Sequence, residues 1–251
     1  MYAQLAYAFE LVRAEPRVVG LNLVAPEDHP VALRDYSLHM QMLGFLADRH
    51  PQVSVALHAG ELTLGLVPPE HLRSHIRQAV QIARAKRIGH GVAISYEDDA
   101  LALLADMRAR GVLVEICLTS NDVILGVKDA LHPFVDYLRA GVPVALASDD
   151  EGVSRIDLSH EYWRAATTYG LGYHELKTLA RNSLTYSFLA GNSLWQAPNQ
   201  FHVVAACAND DLGSVTPSLP CQAFLNTNDR ARVQWHLERE FAAFDWLPWW
   251  Q

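Results

Sequence analysis

The sequence predicts an α/β fold that forms part of a (β/α)8 barrel: about the last five strands of such a barrel, followed by a C-terminal helical and loop extension. Five apolar, β-branched runs alternate with segments whose apolar residues recur at spacings of three and four, a pattern typical of parallel strands covered by helices. Polar residues end four of these runs, and successive intervals from His58 to His90, Ser120 and Asp149 are 32, 30 and 29 residues. A (β/α)8 barrel of roughly 250 residues allots about 31 residues to each unit.

The predicted elements follow one another in strand–helix order. The candidate strands are 17–26, 54–60, 86–92, 111–121 and 141–150, and the candidate helices between them are 34–50, 68–86, 96–110 and 132–140. Helical patterns continue at 160–170 and 174–191, and an amphipathic helix is predicted at 230–247. A doubly wound open sheet would share this rhythm, but the sequence contains no glycine-rich dinucleotide-binding motif, which favours the barrel.

The number of strands sets the predicted domain organisation. Only five strand candidates precede residue 150, whereas a complete barrel has eight. We therefore expect residues 1–191 to be the C-terminal part of a barrel that lacks its first three strands. Residues 192–251 are expected to form an extension packed on that barrel.

Composition limits the classes of partner. The chain has 251 residues, half of them apolar, and a net charge of −8 with no lysine- or arginine-rich run, so neither a nucleic acid nor an anionic membrane is an expected partner. No apolar stretch approaches the roughly 18 residues that cross a bilayer, and the first residues lack the pattern of a secretory signal. The three cysteines, none of them in a CxxC pair, are expected to be buried thiols, which favours a cytoplasmic location.

Reactive side chains are predicted to gather at one end of the strands. In (β/α)8 barrels the active site lies at the C-terminal ends of the strands. Here those ends carry His58 with Glu61, then His90, and finally Asp149 with Asp150. Imidazole nitrogens and carboxylate oxygens in one barrel mouth are the ligands that a hydrolytic metal site requires.

Four motifs in this order resemble those of the adenosine deaminase family of metal-dependent hydrolases. They are LHAGE (57–61), RIGHG (87–91), EICLTSN (115–121) and SDDEG (148–152), and the resemblance runs from about residue 17 to 190. It implies a zinc-containing (β/α)8 barrel that converts adenosine or a related aminopurine nucleoside to the 6-oxo product and ammonia. The cytidine-deaminase signature H-x-E with P-C-x-x-C is absent from the sequence.

The resemblance implies a role for each residue that matches a motif. His58 and Asp149 match zinc ligands, and Glu61 matches the acid that protonates the purine ring. His90 matches the histidine that orients and deprotonates the attacking water. These roles suit the chemistry, because burial raises the pKa of a carboxyl group and an imidazole exchanges a proton near pH 7.

Other positions are predicted to bind substrate or to be structural. Gly60 matches the glycine that lets the substrate approach the loop, and Asp150 matches the carboxylate that contacts the imidazole part of the purine. Cys117, Ser120 and Asn121 belong to CLTSN, which has leucine in place of the family's proline, and are interpreted as loop-shaping residues. The ten other histidines lack paired-ligand spacing and are interpreted as surface or structural residues.

One part of the family's pattern is absent from the sequence. The family places two further zinc ligands in a His-x-His pair at the end of its first strand, and this chain contains no His-x-His. We therefore expect an N-terminally truncated chain that binds zinc weakly and turns over little. Glu151 stands where relatives often have proline, which leaves the exact aminopurine open.

Two alternatives remain open on the sequence alone. The first is a non-catalytic binding or oligomerisation module derived from a deaminase. The second is an AMP deaminase or another amidohydrolase, although HAGE in place of HCGE argues against an AMP deaminase. The sequence does not indicate an oligomeric state.

Overall fold

A five-stranded parallel sheet organises the first part of the chain, and its strands pair in the order in which they occur, β1-β2-β3-β4-β5. The strands are β1 (Leu21–Leu23), β2 (Val55–Ala59), β3 (Arg87–His90), β4 (Leu113–Ile116) and β5 (Val144–Leu146). Each lies within one of the predicted runs. The sequential order of parallel strands joined by helical crossovers is that of consecutive barrel units, so the predicted fold class is confirmed.

The computed structural model describes residues 1–246, and residues 247–251, the end of the predicted extension, lie outside that part. The chain divides into two compact units, Met1–Leu179 and Ala180–Gln251. Within residues 1–246 no helix is long and apolar enough to cross a bilayer.

Eleven α-helices are present among the described residues. They are α1 (Tyr2–Ala14), α2 (Pro30–Arg49), α3 (His75–Gln81), α4 (Ala100–Arg110), α5 (Leu118–Leu125), α6 (Phe134–Ala140), α7 (Glu151–Ser154), α8 (Leu158–Tyr169), α9 (Tyr173–Thr185), α10 (Leu219–Thr227) and α11 (Asp229–Asp245). Short 3-10 turns occur at Pro69–Leu72, Val92–Tyr96, Asp129–Leu131 and Ala205–Cys207.

Two predicted elements differ from the observed ones. The run 111–121 is a strand only over Leu113–Ile116, and its CLTSN segment is the start of α5 and not a loop. The predicted helix 68–86 is a 3-10 turn followed by the short helix α3. In the first case the backbone amides of Leu118 and Thr119 donate hydrogen bonds to the buried carboxylate of Glu161. This contact is long-range in sequence, so periodicity does not reveal it.

The core of the first unit lies between the sheet and its helices. All three residues of β5 are buried, and alternate residues of β2 are buried on the face opposite His58. Phe9, Phe134 and Tyr137 are fully enclosed. Burial of each such side chain stabilises the fold by about 1.5–3 kcal/mol, so the strand ends that carry polar groups are attached to a rigid support.

The second unit has a small core of its own, centred on Trp195 and Trp235. A disulfide joins Cys207 and Cys221, which corrects the prediction that these residues are free thiols. The two residues are 14 positions apart and outside any CxxC motif, so spacing gave no indication of the bond. Cys117, in the first unit, is a buried free thiol as predicted.

Candidate active site

Three candidate ligand residues meet at the C-terminal ends of the strands. His58 lies near the end of β2, His90 ends β3, and Asp149 follows β5. One donor atom from each lies within 4.8 Å of the other two. The imidazole rings of His58 and His90 are 5.0 Å apart, and Nε2 of His90 is 4.0 Å from Oδ2 of Asp149. The parallel strands thus bring close together in space residues that are up to 91 positions apart in sequence.

Two of these residues have an unfavourable backbone conformation. His90 has φ +68° and Asp149 has φ +52°, in the left-handed region that non-glycine residues rarely adopt. Such residues cost of order 1–3 kcal/mol and concentrate at functional sites. Gly91 follows with φ +63°, and a Cβ there would lie 2.5 Å from the hydroxyl of Tyr137, which donates a hydrogen bond to the Gly91 carbonyl.

Gly60 has a local reason to be glycine. Its φ is +76°, and a Cβ at this position would lie 2.7 Å from Cδ1 of Ile76. The turn after β2 therefore packs closely against α3. These contacts account for the glycine without a ligand, and its predicted role in admitting substrate stays a prediction.

Glu27 holds the turn that carries Gly60 and Glu61. Its Oε1 accepts a hydrogen bond from the Gly60 amide at 3.0 Å, and its Oε2 accepts one from the Glu61 amide at 2.7 Å. Nδ1 of His75 lies 2.7 Å from the same carboxylate, and the ring of Tyr36 stacks on His75 at 3.6 Å. Glu27 is not among the residues predicted from the sequence, although its place shortly after β1, at the same sheet edge as the motifs, could have suggested it.

The side chain of Glu61 is unusual in its hydrogen bonding and its charge. Its Oε1 is buried and has no hydrogen-bond partner among residues 1–246. Burial, as the larger cause, and the nearby negative charges of Asp149, Glu27 and Asp150 together raise the pKa of Glu61 to about 7. A carboxyl group with this pKa holds a proton in a substantial fraction of molecules at neutral pH, which is what a general acid requires.

His90 is neutral at neutral pH. Burial lowers its pKa to about 4, with a smaller contribution from His58. Its Nδ1 lies 3.6 Å from Oε1 of Glu61, but a neutral imidazole makes no ion pair there. The hydrogen-bond partner of Nδ1 is instead Nδ2 of Asn121, at 3.0 Å, and Oδ1 of Asn121 lies 3.0 Å from Nε2 of His132.

Asn121 and His132 are therefore part of the site, and their connection to His90 was not predicted from the sequence. Asn121 is fully buried on α5 and His132 is also buried. The start of α5 is held by Glu161, whose buried carboxylate accepts hydrogen bonds from the amides of Leu118 and Thr119. The TSN letters of the motif were the only sequence indication of this network.

A cavity of about 310 Å³ opens at the strand ends, a size within the lower range of small-molecule sites. It is lined by Val24, Ala25, Pro26, Glu27, Asp28, His58, Glu61, Leu66, Ile124, Asp149 and Asp150. Five of these lining residues are acidic, and no lysine or arginine is among them. Asp150, the predicted substrate-binding carboxylate, is exposed directly before α7. The predicted catalytic, metal and substrate residues thus lie in or beside one cavity.

The donor set suits a zinc ion in kind. Two imidazoles and a carboxylate are common zinc ligands. Oδ1 of Asn22 lies 3.3 Å from Nδ1 of His58, an arrangement that orients a ligating imidazole and leaves its Nε2 free. A separation of up to 4.8 Å between donors exceeds the roughly 3.4 Å expected around a tetrahedral zinc ion, so these side chains would move inward on binding.

The chain is similar to known deaminases in sequence and in structure. Adenosine deaminase from Enterococcus faecalis is 37% identical over 139 residues, covering 55% of this chain and 38% of that protein. N6-methyl-AMP deaminase from Arabidopsis thaliana, in its apo structure, is 26% identical with a TM-score of 0.59 over 76% of this chain and 51% of that one. A zinc-bound amidohydrolase from Burkholderia ambifaria is 19% identical with a TM-score of 0.59, covering 75% of this chain and 49% of that one, and shows the fold alone.

The chain spans about half or less of the length of these relatives. The family model for adenosine deaminase matches residues 3–194, which contain the whole sheet and all six predicted site residues. That match extends over well more than half of the sequence, and the chain belongs to the adenosine deaminase family.

Proposed function

We propose that this site catalyses the hydrolytic deamination of an aminopurine nucleoside, with adenosine as the first substrate to test. The observation that carries the proposal is the environment of Glu61. Its carboxyl group has a pKa of about 7 and an oxygen with no hydrogen-bond partner in the described part of the chain, and it lies beside an imidazole–carboxylate cluster at the mouth of a cavity. Family membership supports the same reaction class.

We propose a zinc ion as the cofactor, held by His58 and Asp149 and close to His90. A bound Zn²⁺ lowers the pKa of a water molecule from 15.7 to about 7 and so supplies a nucleophile at neutral pH. Nδ1 of His58 faces Asn22 and its Nε2 is free to bind the metal. Two free ligands are fewer than the three protein ligands of most catalytic zinc sites, so weak binding is expected for this chain.

The reaction consumes one water and releases one ammonia. In our proposal Glu61 donates its proton to a ring nitrogen of the purine while the water oxygen bonds to C6. The C6–N bond then breaks, and the amino group leaves as ammonia with one proton of the water, while the other proton of the water restores the carboxyl group of Glu61. His90 orients that water beside Asp149, its neighbour at 4.0 Å. Asp150, which lines the cavity, is proposed to contact the base, and Gly60, in the turn beside the cavity, to leave room for it.

Charge favours a nucleoside over a nucleotide. The five acidic residues that line the cavity, with no lysine or arginine among the lining residues, repel a phosphate group. We therefore propose adenosine or a similar uncharged aminopurine as substrate. Deamination of a nucleotide, the reaction named for the Arabidopsis relative, is the second candidate.

The decisive experiment follows adenosine loss by ultraviolet absorbance, with Zn²⁺ in excess and with Glu61→Gln as the comparison. We expect slow, zinc-dependent conversion to inosine, with a loss of 10²–10⁴-fold in Glu61→Gln, the usual contribution of a general acid. Tight binding of adenosine without conversion at saturating zinc would contradict the proposal and favour a non-catalytic binding module. Conversion at the same rate in Glu61→Gln would also contradict it.

The cytoplasmic location stays a prediction, and one of its premises is weaker than expected. Disulfides persist mainly in oxidising compartments, and the second unit contains one between Cys207 and Cys221. The oxidation state of Cys207 and Cys221 in the native protein is therefore a direct test of location.

A further inference from the structure

A backbone amide fixes the hydrogen-bonding roles along a buried chain of side chains that ends at His90. The Phe134 amide lies 3.1 Å from Nδ1 of His132. Nε2 of His132 lies 3.0 Å from Oδ1 of Asn121, and Nδ2 of Asn121 lies 3.0 Å from Nδ1 of His90. The three side chains belong to residues that are 3%, 0% and 1% exposed, so solvent does not satisfy these groups.

The direction of each hydrogen bond follows from the first. A backbone N–H can only donate, so Nδ1 of His132 is an acceptor and the neutral ring carries its proton on Nε2. That N–H requires an acceptor, which places Oδ1 of Asn121 toward His132 and its amide nitrogen toward His90. Since the side-chain nitrogen of asparagine only donates, Nδ1 of His90 is an acceptor.

We infer that Asn121 and His132 are positioning residues that hold His90 as its Nε2–H tautomer. His90 therefore presents a hydrogen-bond donor to the site and not a metal-ligating lone pair. Its Nε2 faces Oδ2 of Asp149 at 4.0 Å. The competing acceptor, Oε1 of Glu61, lies 3.6 Å from Nδ1, too far to draw the proton to that side.

His58 has the opposite arrangement. Oδ1 of Asn22, an acceptor, lies 3.3 Å from Nδ1 of His58 and favours a proton there, which leaves Nε2 without one. The two neighbouring imidazoles, 5.0 Å apart, are thus set by two asparagines in opposite tautomers. One asparagine offers its oxygen and the other its nitrogen. His58 is prepared to bind a metal, and His90 is prepared to donate a hydrogen bond.

The consequence for catalysis rests on the proposed deamination. His90 orients the attacking water by donating to its oxygen, and Nε2, which already carries a proton, does not accept the proton that the water loses. This changes the role that the family resemblance implies for His90. The carboxylate of Asp149, nearest to Nε2, is the acceptor that remains beside it.

Histidine tautomers are read directly by long-range ¹H–¹⁵N NMR on the metal-free protein at pH 8, above the ordinary pKa of histidine of about 6.5. The His90 signals are assigned by their absence from His90→Gln. We expect the ¹⁵N shift of a protonated nitrogen at Nε2 and of an unprotonated nitrogen at Nδ1. The reverse pattern would overturn the inference. No substrate is used, so this result is independent of the deamination assay.

A second experiment changes the tautomer. In Asn121→Asp both oxygens accept, so Asp at this position draws the His90 proton to Nδ1 and exposes a lone pair at Nε2. Zinc affinity, measured by competition with a chromophoric chelator, should rise at least tenfold over the native chain, while Asn226→Asp, which adds the same charge at an exposed site, should leave it unchanged. Unchanged zinc affinity in a folded Asn121→Asp would overturn the inference. If that variant fails to fold, the NMR pattern of the native chain decides.

Discussion

The carboxylate of Glu27 accepts a hydrogen bond at 2.7 Å from the backbone amide of Glu61, a residue 34 positions later in the chain. The same carboxylate accepts a hydrogen bond from the Gly60 amide and contacts Nδ1 of His75. One buried side chain therefore fixes the turn after β2. The position of the proposed acid thus depends on the loop after β1. The motif LHAGE is continuous in sequence, yet Glu27, a residue outside it, holds it in place.

Replacement of Glu27 by glutamine tests this dependence. The glutamine NH₂ would face one of the two backbone amides, and a buried donor left unpaired costs about 1–3 kcal/mol. We expect the free energy of unfolding, measured by urea denaturation, to fall by about 2–3 kcal/mol, with a drop in kcat as Glu61 shifts. Glu10→Gln, which removes an exposed ion pair with Arg13, should change stability by less than about 1 kcal/mol. Equal effects of the two substitutions would contradict the anchoring role of Glu27.

Substrate charge should govern selectivity. Because the cavity is lined by acidic residues, we expect kcat/KM for adenosine to exceed that for AMP by at least tenfold at low salt. The difference should shrink as ionic strength rises, since salt screens the repulsion. Equal or greater activity on AMP, with no salt dependence, would show that the phosphate does not approach these carboxylates.

Buried His132 should make the fold sensitive to acid. Burial lowers its pKa to about 4 in the folded chain, against about 6.5 when unfolded, so below pH 6.5 the unfolded state binds a proton that the folded state excludes. The contribution of neutral His132 to the free energy of unfolding is complete above pH 6.5. It is lost as the pH falls to 4, which lowers the free energy of unfolding by about 3 kcal/mol.

The measurement compares urea denaturation of the native chain with that of His132→Gln at pH 7 and pH 4. The native chain should lose about 3 kcal/mol more than the variant between these two values. His174→Gln, at an exposed position, controls for the removal of a histidine. A pH dependence that is the same for native chain and His132→Gln would mean that His132 titrates normally when folded.

The disulfide predicts a definite pattern of thiol labelling. The native chain, denatured without reductant, should react with iodoacetamide at Cys117 alone, and after reduction at all three cysteines. Closing a loop of 14 positions stabilises a fold by about 3 kcal/mol, so reduction should lower the melting temperature of the second unit. Three reactive thiols before reduction, in protein purified without reductant, would contradict the bond and restore the argument for a cytoplasmic location.

The sequence predicted the sheet well because each strand carries its own pattern. The apolar runs at 54–60 and 141–150 contain β2 and β5, and His58 and Asp149, near the ends of these runs, lie at the site. Strand ends were less predictable. In 111–121 apolar periodicity continues past Ile116, while the start of α5 is set by the distant carboxylate of Glu161.

The supporting residues of the site could not be predicted in the same way. Glu27, His75 and His132 lie outside the four motifs, and Asn121 lies inside one that does not reveal its contact with His90, because all four residues act through contacts between elements. The disulfide between Cys207 and Cys221 is of the same kind, because only the folded second unit brings the two residues together. Motifs identify the groups that do chemistry, and the fold decides which groups hold them.

Transfer of oxygen from water to the purine distinguishes hydrolytic deamination from mere binding of adenosine. Adenosine is incubated with the zinc-supplemented chain in H₂¹⁸O, and the product is examined by mass spectrometry together with an assay for ammonia. We expect inosine that carries one ¹⁸O and an equal amount of ammonia, at a rate reduced 10²–10⁴-fold in Glu61→Gln. Inosine without ¹⁸O, or no inosine above the background without protein, would contradict it.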